Sequence, residues 1–150
     1  SDLTMFIPAG AGSPPVLSSD LPRNEAGFIR IEPTCEVVGV PGWYAIGDVA
    51  ALEGPEWKAK QGHLAEAMAR VAAKNLAIQV LQQPGPRATY GQHLNILCLM
   101  DMGRDAGLVY RDDARSFLLP LPVFGHALKR LWGYYYRQSK LGRFPRIPGL

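Results

Sequence analysis

The chain has 150 residues, with 47% hydrophobic and 19% charged side chains. That is one ordinary domain or two small lobes with enough apolar matter for a packed core, so bulk disorder is excluded. Its net charge of +3 hides an asymmetry: no acid follows Asp113, whereas Arg115, Lys129, Arg130, Arg137, Lys140, Arg143 and Arg146 do. Two cysteines cannot build a disulfide framework, and no apolar run approaches the length of a membrane span.

In chain order, "LTMFIP" (Leu3–Pro8) reads as a short strand stopped by proline. The opening on Ser1 without an initiator Met reads as a piece of something longer, or equally as a processed terminus. "AGAGSPPVLSSDLPRNEAG" (Ala9–Gly27) is rich in turn formers and reads as loop. "FIRIEP" alternates like a half-exposed strand, and "TCEVVGVPGW" adds a strand-like stretch and a turn at Pro41-Gly42. "WYAIGDVAAL" (Trp43–Leu52) reads as a strand ending on Gly47-Asp48. Such an end has a chemical use: glycine admits a ligand to the backbone and an aspartate accepts hydroxyl hydrogen bonds. On its own, Gly-Asp is far more often a plain strand and turn.

"GHLAEAMARVAAKNLAIQVL" is the clearest helix, with Leu64, Met68, Val71, Ala72 and Leu76 at helical spacing. Pro84-Gly85-Pro86 ends it as a linker, which divides the chain into 1–83 and 84–150. "HLNILCLMDMG" and "GLVYRDD" are strand candidates joined by a hairpin-like connection, Met102–Gly107. "SFLLPLPVF" carries two prolines and can be only an edge strand or extended segment. "HALKRLWGYYYRQSKL" is a second helix candidate, and the final "GRFPRIPGL" is irregular.

Two strings taken together resemble a known family. "FIRIEPTCEVVGVPGWYAIGDVAAL" followed by "WKAKQGHLAEAMARVAAKNLA" resembles the second flavin motif of flavoproteins with two dinucleotide-binding domains. Gly27 to Ile31 opens it, Tyr44 to Asp48 is its centre and Val71 to Leu76 closes it. Within that superfamily, "AKQGHLAEAM" resembles the K-x-G-x-x-[AI]-E stretch of sulfide:quinone oxidoreductases, and "NILCLMDMGRDAGLVY" their C-x-x-D-[FM]-G motif. The resemblance implies a mixed α/β fold: part of a Rossmann-like flavin-binding domain with one long helix, then a small strand pair and an amphipathic helix. It implies a carboxyl-terminal portion of an FAD-dependent enzyme passing electrons from sulfide to a quinone. The amino-terminal ADP-binding G-x-G-x-x-G and two further redox cysteines would lie in the missing half, and this piece alone is expected to be inactive and without FAD.

By resemblance Gly47, Asp48, Lys60 and Gly62 contact FAD, with Lys60 offsetting negative charge on the reduced ring. Cys98 becomes the sulfur-handling thiol, although by spacing alone it is an ordinary strand cysteine. Cys35 matches no family cysteine and reads as structural or incidental. No metal site is expected. Phe124, Leu128, Leu131, Trp132 and Tyr135 form a helical stripe flanked by basic residues, suited to a peripheral membrane surface, on the cytoplasmic side, and to quinone entry. The alternative is a helix packed on its own domain. No nucleic-acid module frames these charges. Two rival readings stand beside the first: a type II NADH:quinone oxidoreductase fragment with NADH as donor, and a non-catalytic module meeting lipid or a partner. Strand edges left open by a missing half invite homo-oligomers.

Overall fold

The computed structural model describes residues 4–6, 10–103 and 105–145. Part of the expected first strand, Leu3–Pro8, and the chain from Arg146 on lie outside the described residues; Thr4 to Phe6 belong to no regular element. The fold is mixed α/β, as expected. In chain order it comprises α1 (Pro14–Leu17), β1 (Ile29–Arg30), β2 (Ala50–Ala51), α2 (Gly62–Val80), β3 (Ile96–Met102), β4 (Asp105–Arg111), β5 (Ser116–Pro120) and α3 (Gly125–Lys140). β1 and β2 pair in parallel; β3, β4 and β5 form an antiparallel sheet in that spatial order.

α2 forms because Leu64, Ala67, Met68, Val71, Ala72 and Asn75 return to one face at helical spacing and are buried there. That face packs into a core with Ile29, Ile31, Val37, Ala45, Ala50 and Tyr90. Leu76, expected in the stripe, is exposed, and Asn75 is buried instead. The reason is polar: Asn75 Nδ2 donates to Thr34 O (3.0 Å) and Ala88 O (2.9 Å), and its Oδ1 accepts from Ala88 N (2.8 Å). One carboxamide thus ties the helix to the loop before it and the segment after it, which returns Ala88, Tyr90 and Leu94 to the core.

Three expectations are corrected. Ala9–Gly27 is not all loop, since Pro14-Pro15 start a short helix, prolines being tolerated in a first turn. Trp43–Leu52 is not one strand ending on Gly-Asp: Tyr44 makes one isolated bridge with Glu36, and Gly47–Val49 form a 3-10 turn that precedes β2. Gly47 has φ +67°, the left-handed region that interrupts a ladder. The hairpin connection is shorter than Met102–Gly107, because Met102 pairs with Asp105, which places Asp105, Ala106 and Gly107 in β4. β5 is an edge strand, as its prolines require, with every residue exposed. Among the described residues no helix is long and apolar enough to cross a membrane.

Replacing Asn75 with Ala strands one buried N–H and two carbonyls. Unfolding by urea is expected at a lower midpoint with an unchanged slope, a loss of about 3 kcal/mol. A midpoint equal to the wild type's contradicts this role.

Candidate functional site

The amino terminus of α2 and the open edge of β3 meet through side chains. Gln61, the residue before the helix, makes no cap of its own. Its Oε1 accepts from Leu97 N and its Nε2 donates to Asn95 O, each at 3.4 Å. The carboxamide occupies the edge of β3 as a neighbouring strand would. On the other side of Gly62, His63 Nε2 bonds Asn95 Oδ1 at 3.1 Å. Burial holds the His63 imidazole below its ordinary pKa, against the opposing pull of the Asn95 bonds.

Above this junction lies a cavity of about 580 Å³. Its floor and walls come from Gly62 and Glu66 of α2, Cys98 and Leu108 of the sheet, and Leu128 and Trp132 of α3. Four residues expected to be functional therefore share one space: Gly62, Cys98, Leu128 and Trp132. The Cys98 side chain is exposed.

Gly47, Asp48 and Lys60 form a second group beside the first. Gly47 sits against α2, where an added Cβ would lie 3.4 Å from Ala65 Cβ. Lys60 Nζ donates to Asp48 O and lies 3.1 Å from the centroid of the Phe28 ring. Burial lowers the Lys60 pKa, and the Asp48 charge opposes that shift. Asp48 itself is exposed to solvent.

The α3 stripe divides. Leu128 and Trp132 face the cavity, as do Gly133 and Tyr136, whereas Phe124 and Leu131 are 76% and 63% exposed. The Tyr135 ring lies tilted against Trp132, with ring centroids 5.4 Å apart, and its hydroxyl donates to Pro145 O at 2.9 Å.

Sequence reasoning passed over one polar group. Glu66 pairs with Lys140 Nζ at 2.6 Å and accepts from the Tyr136 hydroxyl. The bond to Glu66 raises the Lys140 pKa. Glu66 stands in the K-x-G-x-x-[AI]-E stretch, one turn after Gly62, so its place on the cavity wall followed from helical spacing. Its partners on α3 did not, because they depend on how two distant helices meet.

Cys35 is fully buried at φ +66°. Burial pushes its thiol from 9.0 up to about 11, the state of an inert structural cysteine. Among the described residues no group of three or more metal-ligating side chains converges.

No family profile matches the chain. Among curated proteins it is similar to the sulfide-quinone reductase of Aquifex aeolicus (strain VF5), 26% identical over 146 residues. The match covers 91% of this chain and 32% of that protein, so the chain spans about a third of its relative's length. This supports a distant relationship.

At neutral pH an alkylating reagent is expected to modify Cys98 in the native chain and Cys35 only after unfolding, as resolved by peptide mass spectrometry. A folded thiol pKa raised from 9.0 to about 11 contributes stability that is intact below pH 9 and is lost as pH rises through 11. Native labelling of Cys35 at the rate of Cys98 contradicts the assignment.

Proposed function

We propose that the chain is the carboxyl-terminal part of a membrane-peripheral, FAD-dependent oxidoreductase that takes electrons from sulfide and delivers them to a quinone. The observation that carries this reading is the shared cavity, where a thiol, the start of a long helix and an apolar wall come together. The distant similarity to a sulfide-quinone reductase supports the same chemistry.

The residues present suit the flavin. α2 begins without a side-chain cap, so its first amides and dipole are available to an anion or a ring oxygen. Among the described residues, no atom outside the adjoining backbone of its own helix lies within 4 Å of a Cβ added at Gly62, which leaves that approach open. Gly47 and Asp48 are the residues to hold the cofactor's hydroxyl and phosphate chain, the aspartate as an exposed acceptor. Lys60 brings a positive charge to the same place. When bound, FAD supplies a two-electron acceptor that can pass electrons onward. The remaining part of the longer polypeptide would complete the adenosine pocket and add the other redox cysteines.

Each side chain around the cavity then has a task. Cys98 as thiolate would attack the sulfur of a disulfide or persulfide and displace the other sulfur as a thiolate, since only the thiolate is nucleophilic, and the two electrons that sulfide loses in reaching that level are those FAD would accept. Leu97, Leu99, Leu108, Leu128 and Trp132 exclude water from a flat apolar ring. Glu66, Tyr136 and Lys140 stand where a quinone's oxygens need hydrogen bonds and protons. On the outside of α3, exposed Leu131 and Tyr134 lie among Arg130 and Arg137, a composition suited to an anionic lipid surface.

In the full-length polypeptide, sulfide is expected to reduce quinone faster than NADH does. Cys98→Ser is expected to keep the flavin absorbance and lose sulfide-dependent turnover by roughly 100-fold or more, the scale of removing a covalent nucleophile. A preference for NADH that survives Cys98→Ser contradicts the sulfide reading and favours a type II NADH:quinone oxidoreductase. A colourless, inactive protein favours the binding module.

A further inference from the structure

α3 is held in an unusual way for a helix of 16 residues. Its buried residues are Gly125 and Ser139, neither of them large or apolar. Leu128, Leu131 and Trp132 remain 46%, 63% and 39% exposed. Apolar packing therefore covers the helix only in part, and the space under it is the cavity lined by Leu128, Trp132, Gly133 and Tyr136.

What holds it is a pivot and two charged clamps. The pivot is Gly125, so close to β4 that an added Cβ would lie 2.2 Å from Ala106 Cβ. Leu121 N donates to Ala106 O (2.7 Å) and Gly125 N to Leu121 O (3.1 Å), which anchors the approach to the helix. Near the pivot, Asp101 of β3 faces His126 and Lys129, each at 3.7 Å. At the far end, Glu66 of α2 holds Lys140 and Tyr136. Both clamps are partly exposed, and solvent screens such pairs, so they close the helix without locking it.

We propose that α3 is a lid over the cavity, pivoting at Gly125, and that an anionic lipid surface opens it by drawing Lys129 and Lys140 away from Asp101 and Glu66. The inference rests on the membrane reading of the proposed function and adds to it a means of regulation. The cations that close the lid stand on the same helix as Arg130 and Arg137, beside exposed Leu131 and Tyr134. Lipid phosphates present many acceptors at once, whereas each clamp presents one carboxylate. Opening occurs where a lipid-soluble molecule is waiting, and in water the apolar walls stay covered.

The test uses the full-length polypeptide with other exposed cysteines replaced by Ser. Spin labels go on Ala73→Cys, exposed on α2, and Leu141→Cys, exposed at the end of α3. Their separation is measured by double electron–electron resonance in buffer, on phosphatidylcholine vesicles and on phosphatidylglycerol vesicles. In buffer and on phosphatidylcholine one short distance is expected. On phosphatidylglycerol it lengthens by about a helix diameter, roughly 10 Å. Glu66→Gln with Asp101→Asn gives the long distance in buffer alone. A sedimenting protein whose distance is unchanged on phosphatidylglycerol overturns the lid, as does a double variant that keeps the short distance. Failure to sediment with phosphatidylglycerol, with the double variant open, overturns lipid as the signal and removes the membrane reading itself.

Discussion

The arrangement depends on one side chain at the edge of a sheet. β3 is an outer strand, and an unpaired strand edge demands hydrogen bonds. Gln61 meets that demand with both ends of its carboxamide, at Leu97 N and Asn95 O. Since Gln61 is also the residue before α2, satisfying the strand fixes the start of the helix. His63 repeats the connection through Asn95 Oδ1 on the far side of Gly62. Gly62 is thereby held next to the strand that carries Cys98, and the two face one cavity. The helix start keeps its amides for a ligand because Gln61 is occupied with the sheet.

The two halves of the site differ in character. Around Gly47, Asp48 and Lys60 the chemistry is backbone and charge: a left-handed glycine, an exposed carboxylate and a partly desolvated ammonium. Around Cys98 the walls are apolar, and polarity is confined to His63, to Gln61 and to Glu66 with its α3 partners. Lys60 and Gly62 belong to one short stretch and connect these halves. A cofactor lying along that stretch would face charge at one end and an apolar space at the other, which suits a flavin with its phosphate chain on one side and a quinone on the other.

Both long helices were legible because an amphipathic period of 3.6 survives any tertiary context. β5 was legible as an edge because its prolines cannot serve a central ladder. Trp43–Ile46 misled because an extended, apolar stretch looks like a strand whether or not a full ladder lies beside it, and here the pairing is one bridge at Tyr44, made by Val37 N to Trp43 O and Ala45 N to Cys35 O. Asn75 misled for the opposite reason, since a polar residue beside an apolar stripe gives no sign that three backbone groups are waiting for it. In the site, motif resemblance pointed to Gly62 and Cys98 but could not bring them together; that required the Gln61 contact across 36 residues of chain. The split of the α3 stripe was equally hidden, because spacing alone does not tell a helix wall facing a cavity from one facing solvent.

In the proposed reading a flavin lies along this stretch, within electron-transfer reach of the sulfur at residue 98. An anaerobic titration of the purified full-length polypeptide with sulfide, followed by its visible spectrum, tests it most directly. A bound-flavin band is expected that sulfide bleaches in the wild type and leaves intact in Cys98→Ser. A protein without that band, or one whose band sulfide bleaches equally well after the cysteine is gone, would contradict it.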